Sequence, residues 1–244
     1  MKRGLMALAS ITLMQWSGAA LAEKWVLTTL EWPPFACEKC PEQGAGVKAL
    51  RDAMKTVGVE VEVVFMPWAR AVAEAEKPAY VGYYPAWPED VVAGFVPSPV
   101  IFRSPVGFIE PTGKPLAWES LADLKGKRFG VVQGYGNTKE FNEAAAAGVF
   151  RTDVVPTDQQ NVQKVAAGRL DGAFIDLNNA RWFLSGELKD LAPQVTINAK
   201  SLADKDLLVA LGKANADKAA KIEEALKNVD TAKIVSDYLA ANLK

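Results

Sequence analysis

The sequence predicts an α/β protein made of two lobes, each with a parallel-rich sheet flanked by helices. Strands alternate with helices, this alternation occurs twice in the same order, and a proline-rich segment separates the two runs. Such alternation predicts parallel strands joined by right-handed crossovers. Half of the residues are apolar, which is enough for two ordinary cores.

The first run reads strand, helix, strand, helix, strand. β-Branched and apolar residues mark the strands, Gly58 ends the first helix, and Pro67 begins the second because proline favours the first helical turn. Pro85 is expected to end the third strand, since proline cannot donate a hydrogen bond to a sheet. The strands are predicted at 25–30, 59–65 and 80–84, and the helices at 47–57 and 68–76.

The second run repeats this order, with Asp158 as the expected N-cap of its second helix. Strands are predicted at 128–132, 152–155 and 172–175, and helices from the loop 134–138 to about 147 and at 158–167. Asp176 follows the last of these strands, at the end where open parallel sheets bind ligands. Alternatively, Asp176 caps a helix that begins near Leu177.

Extended chain is expected to connect the two runs, because residues 95–111 carry four prolines. Beyond the second run, strands are predicted at 194–197 and 207–211, followed by helices at 213–228 and 231–242. The predicted division is a first lobe of 23–109 plus 200–244 and a second lobe of 110–199. Two lobes joined by extended crossings share a cleft that closes about a hinge.

Residues 1–22 have the pattern of a secretory signal, with Lys2 and Arg3 before an apolar stretch and a small-residue cleavage pattern at its end. We therefore expect an exported, periplasmic protein that begins at Glu23. That chain has 28 − 2 = 26 Lys and Arg and 29 Asp and Glu, and this near-neutral charge gives no reason to expect nucleic acid as a partner.

Histidine is absent from the sequence, which removes the commonest general base and a common metal ligand.

Four motifs follow one another along the chain: Trp32-Pro-Pro-Phe35, Pro67-Trp-Ala-Arg-Ala71, Leu121-Ala-Asp-Leu-Lys-Gly-Lys127 with Gly130-Val-Val-Gln-Gly134, and Ala167-Gly-Arg-Leu-Asp-Gly-Ala-Phe-Ile-Asp176. In this order they resemble the periplasmic solute-binding proteins of amino-acid ABC transporters, extracellular solute-binding protein family 3. The resemblance implies the two-lobed periplasmic-binding-protein fold with its ligand cleft between the lobes. It also implies a monomer, without cofactor or enzymatic activity, that captures a small polar solute by hinge closure. The solute would be amino acid-like or a cationic amine, and the membrane permease of an ABC importer would receive it.

The resemblance also implies roles for individual residues. Trp32 would flank the ligand and Asp176 would hold an ammonium group. The loop 134–138 would offer backbone N–H groups and hydroxyls to an anion at a helix N-terminus. From that loop come the candidates Gly134, Asn137 and Thr138. The alternative interpretation is that Trp32 and Trp68 belong to the core and that this loop is only a turn.

The sequence departs from the family at the arginine that grips the ligand's α-carboxylate. Counting back from Phe95 puts Glu89 or Asp90 at that position, and both are acidic. Ordinary α-amino-acid binding is therefore not expected. Arg70 or Arg103 would be the substitutes, and the alternative for each is a surface or structural arginine.

Acidic residues next to tryptophans and tyrosines instead favour a cation held by aromatic faces and a carboxylate. The alternative is that Glu89 and Asp90 lie on a solvated loop. The full set of candidate ligand-binding residues is Glu31, Trp32, Trp68, Arg70, Tyr84, Trp87, Gly134, Asn137, Thr138 and Asp176.

Cys37 and Cys40 are the two cysteines of the chain. In an exported protein we expect them to form a disulfide that pins the loop after the Pro-Pro turn. A redox motif and a zinc site are the alternatives, and zinc would need two carboxylate ligands in the absence of histidine. No metal site is predicted.

Two other functions use the same lobes. One is a periplasmic sensor subunit that binds a solute and docks on a membrane receptor. The other is an enzyme of the dehydratase type acting on a small acid, for which Asp176 and Glu89 are the candidate acid and base.

Overall fold

The computed structural model describes residues 22–243, so the predicted signal segment 1–22 lies, apart from Ala22, outside the described residues. The described chain forms a mixed α/β structure in which strands and helices alternate as predicted. None of the described helices has the length and apolar character needed to cross a membrane.

The first lobe opens with the predicted β-α-β-α-β order. Its elements are β1 (Glu23–Thr29), α1 (Ala45–Lys55), β2 (Val59–Phe65), α2 (Trp68–Glu74) and β3 (Gly82–Ala86). β1 lies between β2 and β3 and is parallel to both. The prediction that Pro85 ends the third strand is wrong. The ladder of β3 is irregular between Tyr83 and Ala86, so proline is accommodated where no donor is required.

The second lobe repeats this order after β4 (Phe95–Pro97), which stays in the first lobe, and β5 (Phe102–Pro111), which crosses to the second. The second lobe contains β6 (Arg128–Val132), α3 (Lys139–Ala146), β7 (Arg151–Val155), α4 (Asp158–Ala166), β8 (Gly172–Asp176) and α5 (Leu177–Ser185). β6 is parallel to both of its neighbours, β7 and β8. The N-cap of α4 is Thr157 and not Asp158, because the Thr157 hydroxyl accepts the backbone N–H of Gln160 at 3.3 Å.

A single long strand, β9 (Val195–Gly212), joins the two lobes. The strands predicted at 194–197 and 207–211 are the two ends of this strand, which pairs with β5 along most of its length and with β3 and β4 near its carboxyl end. The strand order is β2-β1-β3-β9-β5-β8-β6-β7. β5 and β9 therefore carry the chain from one half of the sheet to the other.

Two helices complete the first lobe, α6 (Lys218–Leu226) and α7 (Thr231–Asn242). The helix predicted at 213–228 is shorter than expected, because a 3-10 turn at Lys213–Asn215 precedes it. α1 packs against both helices, and its apolar residues Val47, Leu50 and Met54 recur at helical spacing and are buried.

The core of the second lobe is rich in phenylalanine. The rings of Phe108 and Phe129 have centroids 4.8 Å apart, and those of Phe141 and Phe174 are also 4.8 Å apart. Phe174 lies on β8 and reaches the boundary between the lobes, where its ring centroid is 6.4 Å from that of Trp87. This core holds β8, and therefore Asp176, in a fixed position.

Tyr84 is fully buried in the first lobe, and its hydroxyl donates to the carbonyl of Gly46 at 2.8 Å. We predict that Tyr84→Phe lowers the free energy of unfolding by about 1–3 kcal/mol, since it leaves a buried acceptor without its donor. Urea unfolding measures this change.

Tyr80→Phe is the matched control, because the Tyr80 hydroxyl makes no hydrogen bond to another described residue. An equal loss in both variants would show that the Tyr84 hydrogen bond contributes nothing specific.

Candidate functional site

Two sets of loops face each other at the carboxyl ends of the parallel strands. The first lobe contributes the segments that follow β1, β2 and β3, and the second lobe contributes those that follow β6, β7 and β8. This is the edge at which open parallel sheets form ligand crevices. Three hydrogen bonds join the two sets: Trp68 Nε1 to the Gly134 carbonyl (3.0 Å), Gly136 N–H to Asp90 Oδ1 (2.6 Å), and Asn179 Nδ2 to the Pro33 carbonyl.

Aromatic rings line the centre of this crevice. The ring centroid of Trp87 is 6.1 Å from that of Trp32 and 6.0 Å from that of Tyr135. Tyr135 in turn lies 6.4 Å from Trp68, and all three contacts are edge to face. With Asp90 these rings surround a cavity of about 20 Å³, which holds about one water molecule. In this conformation Tyr135 fills most of the space between the tryptophans.

A larger cleft of about 690 Å³ adjoins this cavity and shares Trp32, Trp68 and Tyr135 with it. Four carboxylates line it, those of Glu31, Glu38, Asp158 and Glu187, and no Lys or Arg is among its described lining residues. A cleft with acidic and aromatic walls attracts cations, through both charge and the negative faces of the rings.

Asp176 performs both of the roles that its sequence position allowed. One carboxylate oxygen, Oδ1, caps α5 by accepting the N–H groups of Asn178 and Asn179 at 2.9 and 3.0 Å. The other, Oδ2, has no partner among the described residues, although Asp176 is only 2% exposed. Burial raises the pKa of Asp176 to about 6, against the lowering effect of the hydrogen bonds it accepts. Asp176 therefore keeps a buried acceptor without a partner among the described residues, although it lines neither the cavity nor the larger cleft.

Asp158 is a second buried carboxylate, supplied by the first turn of α4. The Tyr135 hydroxyl approaches its Oδ2 at 3.4 Å. Burial, together with the negative charge of Asp176, raises the pKa of Asp158 to about 7. A cation bound between these two carboxylates would lower both pKa values, because it favours their charged forms.

Within residues 22–243, no group of three acidic or cysteine side chains is placed to hold a metal ion.

Asp90 is the carboxylate of the first lobe. Its Oδ2 accepts the N–H of Trp87 at 3.0 Å, and its Oδ1 accepts the N–H of Gly136 from the other lobe at 2.6 Å. Burial raises the pKa of Asp90 to about 6, and the nearby negative charge of Glu89 acts in the same direction.

Glu89 forms an ion pair with Lys205, whose ammonium group lies 5.5 Å from the centroid of the Trp87 ring. Lys205 is only 6% exposed, so this pair is held between the loop after β3 and the crossing strand β9. Glu89 is nonetheless exposed and Asp90 is half-buried, so the segment lies at the surface. The Glu89–Lys205 pair holds it to the crossing strand, and the Asp90–Gly136 hydrogen bond holds it to the second lobe.

The loop 134–138 contributes to the crevice differently from the prediction. Gly134 offers its carbonyl, to Trp68, rather than its N–H. The Thr138 hydroxyl caps α3 by accepting the Phe141 N–H at 3.2 Å, which leaves its own proton free to donate. Asn137 is nearly buried and takes a left-handed backbone conformation, with φ of 51°.

Of the ten predicted residues, Trp32, Trp68 and Trp87 line the central cavity and the other seven do not. Tyr84 is in the first-lobe core, and Arg70 is exposed and lines neither the cavity nor the cleft. Glu31 is exposed at the wall of the larger cleft, where it accepts the backbone N–H of Glu38 at 3.0 Å. Arg103, the other suggested substitute, pairs with Asp206 on the surface at 2.6 Å. Neither arginine is placed to grip a ligand in the crevice.

Tyr135, which lines the cavity, and Asp158, which lines the larger cleft, were not among the predicted site residues. The rule that selected Asp176, a carboxylate at the carboxyl end of a parallel strand, also applies to Asp158, which follows β7. Nothing in the sequence pattern distinguishes Tyr135 from a turn residue, because its position between two tryptophans depends on contact between the lobes.

The disulfide between Cys37 and Cys40 is present, as predicted. It closes the loop that follows the Trp32-Pro-Pro-Phe35 segment, and the backbone N–H of Cys37 donates to Gln43 at 2.9 Å. Trp32 packs against Phe35 within this loop, with ring centroids 4.8 Å apart. The disulfide therefore lies in the segment that presents Trp32 to the crevice.

No protein-family model and no curated protein match the sequence. Solved structures show the fold. The amino acid ABC transporter substrate-binding protein AbpA from Streptococcus pneumoniae, bound to L-arginine, aligns with a TM-score of 0.69 at 17% identity over 91% of this chain and 96% of that chain.

The GluR0 ligand-binding core with L-glutamate aligns with a TM-score of 0.73 at 15% identity over 93% of this chain and 100% of that one. A histidine kinase sensor domain with similarity to periplasmic binding proteins aligns with a TM-score of 0.71 at 15% identity, over 91% of this chain and 97% of that chain. The chain thus has the two-lobed periplasmic-binding-protein fold predicted for it. The ligands named for the first two differ in charge, so the fold alone does not specify a solute.

We predict that Asp158→Asn stabilises the unliganded protein at pH 8 and not at pH 4. The pKa of Asp158 is about 7 in the folded chain against an ordinary value of 3.8, so unfolding releases a proton between these pH values. The free energy of unfolding of the parent therefore falls as pH rises from 4 to 7. Asparagine does not ionise, so this decrease is absent in the variant. We expect its free energy of unfolding at pH 8 to exceed that of the parent by an amount on the order of 1–4 kcal/mol.

Urea unfolding at both pH values measures the effect, with Asp217→Asn as the control. Asp217 is exposed, and its side chain makes no hydrogen bond or ion pair with the described residues. A gain for Asp158→Asn that is equal at pH 4 and pH 8 would contradict the prediction.

Proposed function

We propose that this protein is a periplasmic substrate-binding protein that captures a small polar solute and delivers it to the permease of an ABC importer. The observation that carries the proposal is the cleft between the lobes, which combines four aromatic rings with buried carboxylates and no lining Lys or Arg. The solute we propose is cationic or zwitterionic, amino acid-like or a simple amine. The protein acts by binding, as a monomer, and carries out no chemical reaction.

Hinge closure is the motion we propose for capture. β5 and β9 are the strands that cross between the lobes, and the register of their ladder shifts on both sides of Gly107. Irregular ladders bend more readily than regular ones. We place the lobe boundaries within these crossings, with 23–109 and 200–244 in the first lobe and 110–199 in the second. Residues 1–22 would direct export and be removed.

Contacts across the crevice would hold the closed form. The N–H of Gly136 reaches Asp90 at 2.6 Å and Trp68 reaches the Gly134 carbonyl at 3.0 Å. A solute that binds both lobes adds to these contacts and shifts the population toward closure. A permease could then distinguish loaded from unloaded protein by the distance between the lobes.

The test of solute binding is a thermal-shift screen of protein that has been unfolded and refolded to remove co-purified solutes. Its panel contains amino acids, polyamines, betaines, organic acids and small sugars. We expect saturable stabilisation by basic or zwitterionic solutes, about 2.7 kcal/mol when the solute is at 100 times its Kd. Stabilisation by organic acids or sugars alone would overturn the proposal.

We predict that Gly136→Ala weakens solute binding by about tenfold or more, the equivalent of about 1.4 kcal/mol, without destabilising the unliganded fold. An added Cβ would lie 2.7 Å from Cβ of Glu89 and 2.8 Å from its backbone carbon, so the lobes could not approach as closely. Calorimetric titration measures the affinity of the solute that the screen identifies.

Gly113→Ala is the matched control, because an added Cβ at Gly113 meets nothing within 4 Å. If Gly136→Ala bound the solute as tightly as the control, closure onto the Glu89–Asp90 segment would not be part of capture.

A sensor role is the second candidate, because a histidine kinase sensor domain shares the fold over 91% of this chain. Uptake of labelled solute by cells with and without the gene distinguishes the two. Loss of uptake supports import. Unchanged uptake with loss of a transcriptional response to the solute supports sensing.

A further inference from the structure

We propose that Asp90 occupies the place where a ligand's carboxylate would bind, so that the captured solute is an amine cation without a carboxylate group. This inference rests on the proposed function and specifies its substrate class. It depends on three features of the crevice: a loop N–H group that Asp90 already occupies, a lining without Lys or Arg, and a buried carboxylate oxygen of Asp176 that has no partner among the described residues.

The anion-binding loop leads into the N-terminus of α3, where backbone N–H groups attract negative charge. Its Gly136 N–H already donates to Asp90 Oδ1 at 2.6 Å. Gly136 also packs closely on Glu89, where even a methyl group would approach to 2.7 Å. A ligand carboxylate therefore has no space between this loop and the first lobe.

No Lys or Arg is among the described residues that line the cavity or the larger cleft. Lys205 is paired with Glu89. The charge of Arg181 lowers the pKa of Asp176, but the Arg181 side chain is exposed and lines neither space. A ligand carboxylate would therefore enter beside Asp90 without a lining counter-ion, and like charges in a partly buried site repel strongly.

An unused acceptor is provided by Asp176, whose Oδ2 has no partner among the described residues while the side chain is 2% exposed. Asn179 lines the larger cleft, and its side-chain oxygen is also unpartnered. An ammonium group has three donors and a guanidinium five, and neither has an acceptor. The cleft thus offers the acceptors of Asp158 and Asn179 beside aromatic faces, and these features suit a cation.

The test compares solutes that differ only by the α-carboxylate. The pairs are agmatine with arginine, cadaverine with lysine, and putrescine with ornithine, titrated calorimetrically into refolded protein at pH 7.5. We expect the amine of at least one pair to bind at least about tenfold more tightly than its amino acid. Equal or tighter binding of the amino acids in every pair that binds would overturn the inference.

The same experiment separates failure of the inference from failure of the proposed function. If no amine without a carboxylate binds, either in the pairs or in the thermal-shift panel, but another solute of the panel does, the amine class is wrong and solute capture stands. If nothing in the panel binds, the proposed function fails and the inference fails with it.

A variant tests the role of Asp90 directly. Asp90→Ala frees the Gly136 N–H and removes one negative charge, so the preference for the amine over its amino acid should fall by about tenfold. Asp90→Asn keeps an acceptor for Gly136 and should shift the preference less, and it serves as the second variant where Asp90→Ala fails to fold.

Asp217→Ala controls for the loss of one negative charge at an exposed position and should leave the ratio of the two affinities unchanged. An unchanged ratio in both Asp90 variants would show that Asp90 does not set the substrate class.

Discussion

The antiparallel pairing of β5 with β9 is the interaction on which the rest of the structure depends. This ladder runs from Phe102 opposite Leu207 to Pro111 opposite Val195, and its two ends belong to different lobes. β3 adds to β9 at one end and β8 adds to β5 at the other. The parallel strands of both lobes therefore direct their carboxyl ends, and the loops that follow them, into one crevice.

Electrostatics gives this crevice its chemical character. Asp90, Asp158 and Asp176 come from three different loops, and burial raises the pKa of each. A buried carboxylate without a counter-ion destabilises its protein, and a bound partner of opposite charge recovers that free energy. Such destabilising carboxylates occur at functional sites, where binding a group of opposite charge recovers the lost free energy. Trp32, Trp68 and Tyr135 line the same cleft as Asp158, and the negative faces of such rings add to the attraction for a cation.

Individual residues show how far sequence reasoning extends. The position of Asp176 at the end of a parallel strand followed from local pattern, and so did its ability to cap a helix. Its unpaired second oxygen did not, because that depends on which atoms surround the side chain. The sequence showed that Glu89 and Asp90 replace an expected positive charge by a negative one. It did not show that the two side chains have different partners. Glu89 pairs with Lys205, 116 positions away, and Asp90 with Gly136, 46 positions away.

The sequence by itself determined the order of strands and helices, the two-lobed arrangement and the disulfide, since these follow from local periodicity, proline and glycine positions and the spacing of two cysteines. The tertiary structure alone decided which acidic and aromatic residues share the crevice. It placed Tyr135 between Trp68 and Trp87, moved Tyr84 into the core and left Arg70 on the surface. The physical reason is that burial, ion pairing and pKa depend on atoms brought together from distant parts of the chain, and local pattern carries no information about those contacts.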